Sequence, residues 1–171
     1  YFAPLLKKSI QISTGINGTL DNLHIPQIII KEAGNSISAS ADVLNLPDTK
    51  NMVINLRLKE FSSTRSGVLS YLPKGTVPDS LLHYIPETFS LKGNYRGSLD
   101  NMYADLQLVS SDGNATVKGT MKNFSSQQTA MYDLAVTTDN IDLGKLLQDT
   151  SIGKITAKVK VKGKGFDVKT T

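Results

Sequence analysis

His24 and His83 are the only histidines in the chain, and they lie 59 positions apart (24 to 83). No helical run places a carboxylate four residues from either, so the pattern of a metal-bound or proton-shuttling histidine is missing and both read as surface or loop residues. A serine nucleophile needs an elbow such as Gly-x-Ser-x-Gly, and no window matches it. Gly163-Lys164-Gly165 is rich in glycine and lysine but lacks the Gly-x-x-x-x-Gly-Lys-Ser/Thr phosphate loop, so it reads as a bulge or turn at a strand end. Cysteine is absent, which removes disulfides, thiolate zinc sites and a cysteine nucleophile. These residues predict a protein without catalytic machinery, cofactor or metal.

Charged residues tell a similar story. Lys154, Lys158, Lys160, Lys162 and Lys164 form the densest cationic run. They alternate with Ile155, Ala157, Val159 and Val161, so they read as the wet face of a strand and not as a nucleic-acid or lipid-headgroup patch. With a net charge of only +4 and few aromatics, the chain lacks the basic stacking platform that nucleic acid requires. Asn-x-Ser/Thr sequons at Asn17, Asn114 and Asn123 carry little weight in a Ser/Thr-rich chain.

The elements that would hold any site are mostly strands. Alternating apolar and polar residues recur at 9–14, 25–31, 36–43, 51–58, 89–95, 103–109, 115–121, 131–137 and 155–161. Asn17-Gly18, Gly34-Asn35 and Asp112-Gly113-Asn114 supply tight turns between them, which predicts an all-β, mainly antiparallel fold. Two short helices are expected, one at 66–72 and one where Leu143, Leu146 and Leu147 follow a capping Asp142. Residues 72–86 hold Pro73, Pro78 and Pro86 and predict a crossover with at most one helical turn. The 171 residues suffice for one domain or a few repeats, and no apolar run approaches the roughly 18 residues of a membrane-spanning helix. Opening on Tyr1 and stopping at Thr171 just after a strand-like run, the chain reads as a piece of a longer protein.

An internal repeat organises these elements. Ile16-Asn17-Gly18-Thr19-Leu20-Asp21-Asn22-Leu23 aligns with Tyr95-Arg96-Gly97-Ser98-Leu99-Asp100-Asn101-Met102, an offset of 79 (Gly18 to Gly97). Gly34-Asn35 and Gly113-Asn114 keep that offset, and after one-residue slips Ile54, Leu56 and Leu58 match Tyr132, Leu134 and Val136, while Gly67 and Leu69 match Gly144 and Leu146. The division is then 1–88 for a first repeat including the crossover, 89–153 for a second, and 154–171 for the start of a third. Asp21 and Asp100 occupy equivalent positions, so each is expected to cap its own turn.

One face of the strands is aliphatic. Ile12, Ile25, Ile29, Ile54, Leu56, Leu58, Phe89, Leu91, Leu106, Leu108, Tyr132, Leu134, Val136, Ile155, Val159 and Val161 are expected to share it. Periodicity alone leaves two readings: the core of a sandwich closed by a second sheet, or the lining of a trough wide enough for an acyl chain. The sandwich is the more ordinary of the two.

Tyr1-Phe2-Ala3-Pro4-Leu5-Leu6, the repeated Gly-Thr/Ser-Leu-Asp-Asn, Ile85-Pro86 followed by Phe89-Ser90-Leu91-Lys92-Gly93-Asn94-Tyr95-Arg96-Gly97, Asp142-Leu143-Gly144-Lys145-Leu146-Leu147 and Val161-Lys162-Gly163-Lys164-Gly165 carry a resemblance. In that order, over essentially the whole chain, they resemble the repeats of the TamB family (translocation and assembly module subunit), in their Bacteroidetes-type form, within the AsmA-like superfamily. The resemblance implies a curled repeat sheet forming a U-shaped hydrophobic groove, a β-taco, in a periplasmic protein of the Gram-negative envelope anchored in the inner membrane. It implies a non-enzymatic role in phospholipid transport between inner and outer membranes, with phospholipid acyl chains in the groove and an outer-membrane barrel protein as partner of the full-length protein. Two alternatives stand beside it: a scaffold for outer-membrane protein assembly, and a surface β-sandwich module that binds other proteins or glycans. An uncovered trough also predicts end-to-end self-association.

Overall fold

In a computed structural model the chain is described over residues 10–32, 34–70, 72 and 77–165, except for the side chains of residues 79, 80 and 83. The Tyr1 to Leu6 motif, Ser9, Pro73, the His83 side chain and the third repeat beyond residue 165 therefore lie outside the described residues. Nine strands follow one another: β1 (Gln11–Thr19), β2 (Asn22–Glu32), β3 (Asn35–Leu44), β4 (Val53–Thr64), β5 (Thr88–Gly97), β6 (Met102–Ser110), β7 (Gly113–Lys122), β8 (Met131–Asp142) and β9 (Lys154–Lys164). They form one open sheet in which every strand pairs antiparallel with its sequence neighbour, from β1 at one edge to β9 at the other. Tight turns set this order at β1–β2, β2–β3, β5–β6 and β6–β7, where the chain returns beside the strand it has just left; longer connections carry the remaining neighbours.

Two glycines show why the turns are where they are. Gly18 and Gly97 have φ of 104° and 126°, and a Cβ would lie 2.2 Å from the Asn22 carbonyl oxygen in the first turn and 2.1 Å from that of Asn101 in the second. Only glycine fits the repeated Gly-Thr/Ser-Leu-Asp-Asn turn. Both turns are also tied to the next loop in the same way, by Asn45 N–H donating to the Asp21 carbonyl at 2.9 Å and Phe124 N–H to the Asp100 carbonyl at 3.1 Å. The Asp100 carboxylate does not cap its own turn: it accepts from Ser125 N–H at 2.9 Å and Ser125 Oγ at 2.6 Å, clasping the loop between β7 and β8. These bonds hold the carboxyl below its ordinary range.

Four strands and a five-residue helix recur: β1 to β4 with α1 (Arg65–Leu69), then β5 to β8 with α2 (Leu143–Leu147). Each helix begins at a side-chain cap. Thr64 Oγ1 accepts from Gly67 N–H at 2.9 Å, and Asp142 Oδ1 accepts from Lys145 N–H at 2.9 Å. The crossover adds a 3-10 helix, Asp79–Tyr84, whose six residues make about two turns, one more than the proline spacing predicts. Pro78 precedes the helix and Pro86 follows it, so neither proline removes a hydrogen bond from within it.

The sandwich expectation is overturned, because all nine strands belong to one sheet and no second sheet faces it among the described residues. Burial agrees: among the described residues the buried apolar side chains are Ala39, Ala41, Val43 and Ala130, and no large side chain is fully enclosed. The accessible surface is 11808 Å², against about 8,200 Å² for a compact monomer of 18.5 kDa. Larger aliphatic residues of the inner strands are half-buried by their neighbours, which removes part of each side chain from water at roughly 25 cal/mol per Å².

Candidate functional site

Strand register assembles the apolar residues into rows across the sheet, since directly paired residues share a face. One row runs through Ile25, Ala41, Leu56, Tyr95, Ala104, Gly119, Leu134 and Val161. The next, two residues along the strands, runs through Thr14, Ile28, Ala39, Leu58, Gly93, Leu106, Val117, Val136 and Val159. A third contains Ile12, Ile30, Ile37, Phe61, Leu91, Leu108, Ala115, Thr138 and Ala157. Ile54 lies in a further row with Leu23, Val43, Met102 and Tyr132; Phe89 and Ile155 mark the opposite end of the same face. Eight inter-strand steps of about 4.8 Å make the surface roughly 38 Å across.

The aliphatic residues singled out from the sequence all stand on this face except Ile29. Pro26 cannot donate to the ladder in an interior strand, and β2 bulges around it: Ile25 pairs with Ala41 but Ile28 pairs with Ala39. The extra residue inverts the alternation, so Ile28 and Ile30 join the apolar face while Ile29 pairs with Ser13 and Ser38 on the other. Similar bulges let Leu58 and Phe61 share the face in β4, and Thr138 and Ile141 in β8, where Asn140 takes φ of 53°. Sequence reasoning missed Ile28, Ile30, Ile37 and Phe61. For Ile28 and Ile30 the available signal was Pro26; for Ile37 it was the Ile37, Ala39, Ala41, Val43 alternation.

Exposure along this face is graded. Ile12 on the β1 edge is 64% exposed and Val159 on the β9 edge 49%, whereas Ala39 in β3 is 3% exposed. Beside that buried strand lies a cavity of about 280 Å³ lined by Ile30, Glu32, Asn35, Ile37, Phe61, Ser63, Val68 and Leu72. Val68 of α1 and the nearby Leu72 reach the apolar face at this end of the sheet. A polar latch holds the end in place: Asn35 Nδ2 donates to Glu32 Oε2 at 2.7 Å, and Ser63 Oγ donates to Asn35 Oδ1. Gly67 permits the approach of α1, because a Cβ there would stand 2.6 Å from Asn35 Oδ1. Phe61 and Phe89 meet edge to face nearby, with ring centroids 5.7 Å apart.

The polar face offers little chemistry of the catalytic kind. His24 Nδ1 lies 2.6 Å from Asp42 Oδ1, but both side chains are more than half exposed and no hydroxyl is bonded to the ring among the described residues. No group of three or more His, Cys, Asp or Glu side chains that could hold a metal occurs among the described residues. Lys162 meets Asp133 at 3.2 Å, and the other lysines of β9 stand on the same face. No helix among the described residues is long and apolar enough to cross a membrane.

Comparison of the chain with known protein families, with curated proteins and with solved structures found no match.

Proposed function

We propose that this chain is a non-enzymatic segment of a periplasmic envelope protein that carries phospholipid acyl chains along its apolar face, between the inner and outer membranes. One observation carries the reading: the apolar rows cross all nine strands, and no second sheet covers them among the described residues. A monomer rarely leaves so broad an aliphatic surface open without something to place on it. An acyl chain fits the chemistry, because hydrocarbon moving from a bilayer onto Leu, Ile and Val side chains stays out of water throughout. The hollow lined by Val68 and Leu72 adds a mostly apolar recess to one end of this surface. The resemblance of the ordered turn motifs to TamB-family repeats supports the envelope setting and an inner-membrane anchor on the full-length protein.

Native mass spectrometry with lipid extraction, on protein purified from a bacterial host, tests the proposal. Near-stoichiometric phospholipid is expected on the wild type and is expected to be lost in Leu134→Asp, whose side chain sits between Gly119 and Val161. A lipid-free wild-type monomer would refute it.

A further inference from the structure

The face opposite the apolar rows carries a feature that acyl-chain transport does not use. On β4 and β5, Arg57 pairs with Asn94 and Asn55 pairs with Arg96, so two arginines and two asparagines form a checkerboard on adjacent strands. Diagonal neighbours in such a pair stand about 7–8 Å apart, within joint reach of long side chains. They line a pocket of about 280 Å³ together with His24, Ser40, Asp42 and Tyr103. A second depression continues from it, sharing Arg57 and Asn94 and adding Lys59, Lys92, Gln107 and the carboxylate of Asp105.

Two carboxylates line the same surface, and each is already paired. Asp42 is held by His24 at 2.6 Å and Asp105 by Lys118 at 2.9 Å. Asp42 stands diagonal to Arg57 and Asp105 diagonal to Arg96, but each carboxylate is bonded to another basic side chain, and Asn55 and Asn94 are the direct cross-strand partners of the two arginines. Glu60 stands on the same face in the bulge with Lys59, opposite Lys92 and one row removed from the checkerboard. None of Arg57, Lys59, Lys92 and Arg96 has a carboxylate partner among the described residues.

The repeat supplies an internal comparison. At the equivalent junction of β8 and β9, Asp133 stands opposite Lys162 and is ion-paired with it, while Ala135 stands opposite Lys160. The first junction therefore replaces the neutralised Asp–Lys pair with Asn55 and Arg96, and the Ala–Lys pair with Arg57 and Asn94, keeping two cations and losing the acid. Two like charges held close together, with the nearest acids already paired to other basic side chains, repel one another, and two planar guanidinium groups flanked by amide donors match the oxygens of a tetrahedral anion. From this geometry we infer that the Asn55, Arg57, Asn94 and Arg96 checkerboard is a binding site for a phosphate group, separate from the apolar face.

Isothermal titration with inorganic phosphate and pyrophosphate tests the site. Saturable one-to-one binding of pyrophosphate is expected in the wild type, weakened at least tenfold in Arg57→Gln/Arg96→Gln. Asn55→Asp, which reproduces the acid of the second junction, is expected to weaken it similarly, and circular dichroism checks that each variant keeps its sheet. Lys160→Gln/Lys162→Gln is expected to bind within twofold of wild type. Absence of saturable binding in the wild type, or an equal loss in the β9 variant, would overturn the inference, the latter because it signals a diffuse cation cloud. Vesicles of phosphatidylcholine with and without phosphatidic acid separate the sources. Sedimentation with the acid-bearing vesicles that depends on Arg57 and Arg96 identifies a lipid headgroup, and pyrophosphate binding without sedimentation identifies a free phosphate.

Discussion

Ile28 and Ile29 are neighbours in the chain that serve opposite faces of the sheet: Ile28 pairs with Thr14 and Ala39, Ile29 with Ser13 and Ser38. The bulge at Pro26 sets which of them faces the apolar rows. Ile28→Asp is therefore expected to abolish phospholipid capture, whereas Ile29→Asp is expected to retain it, both with β content close to wild type. Lipid extraction after native purification reads the difference, and equal loss in the two variants would remove the facial assignment.

Backbone geometry predicts a stability cost at the repeated turn. Gly97→Ala would push a methyl group against the Asn101 carbonyl at a φ of 126° and is expected to cost about 1–3 kcal/mol. The melting temperature should fall by roughly 2–4 °C for each kcal/mol in a domain of this size. Gly163→Ala is a useful contrast: the nearest atoms belong to the end of the Tyr132 ring, which can swing aside, so its loss should be smaller. Thermal unfolding of both variants checks the order.

The clasp between Asp100 and Ser125 predicts acid sensitivity. Hydrogen bonds from the Ser125 hydroxyl and N–H lower the folded-state pKa of Asp100 below 3.8. A depressed carboxyl pKa contributes stability that is present above the unfolded value and is lost as pH falls through the folded one, so the loss begins near pH 3.8 and continues below it. Asp48 and Asp149 are lowered mainly by Asn51 and Ser151 respectively, and they act in the same window. Asp100→Asn should flatten the dependence of stability on pH below 3.8 relative to wild type. Urea unfolding at a series of acid pH values measures it.

The two edges of the sheet differ in protection. Strand β9 presents Lys158, Lys160, Lys162 and Lys164, while β1 carries no charged residue from Gln11 to Thr19. Lysines blunt strand-to-strand association, so self-association at high concentration is expected to run through β1. Ser13→Lys/Asn17→Lys should reduce it in sedimentation velocity, and unchanged association in that variant would place the contact elsewhere.

Alternation at 36–43, 89–95, 103–109 and 115–121 marked strands that the sheet contains, because a period of two depends only on neighbouring residues. Asp142 ahead of Leu143 and Leu146 marked α2 for the same reason, a cap and a helical spacing being local. Turn chemistry at Gly18 and Gly97 was legible too, and there the turns impose antiparallel pairing of sequential strands. Legibility failed where an extra residue broke the period: beyond Pro26 in β2, at Lys59 and Glu60 in β4, and at Asp139 and Asn140 in β8, each later side chain changes face.

The sequence by itself therefore determined an all-β chain, its strand segments, two short helices with Asp142 capping the second, and turn motifs that recur along the chain, all written in spacings of a few residues. Only the tertiary structure decided that the strands form one open sheet instead of two closed ones, that Ile28 and not Ile29 faces the apolar rows, and that Arg57 and Arg96 stand diagonal to one another without a carboxylate between them. Those outcomes depend on register and on what covers a face. Both are properties of pairs of strands distant in sequence, and no window along a single strand contains them.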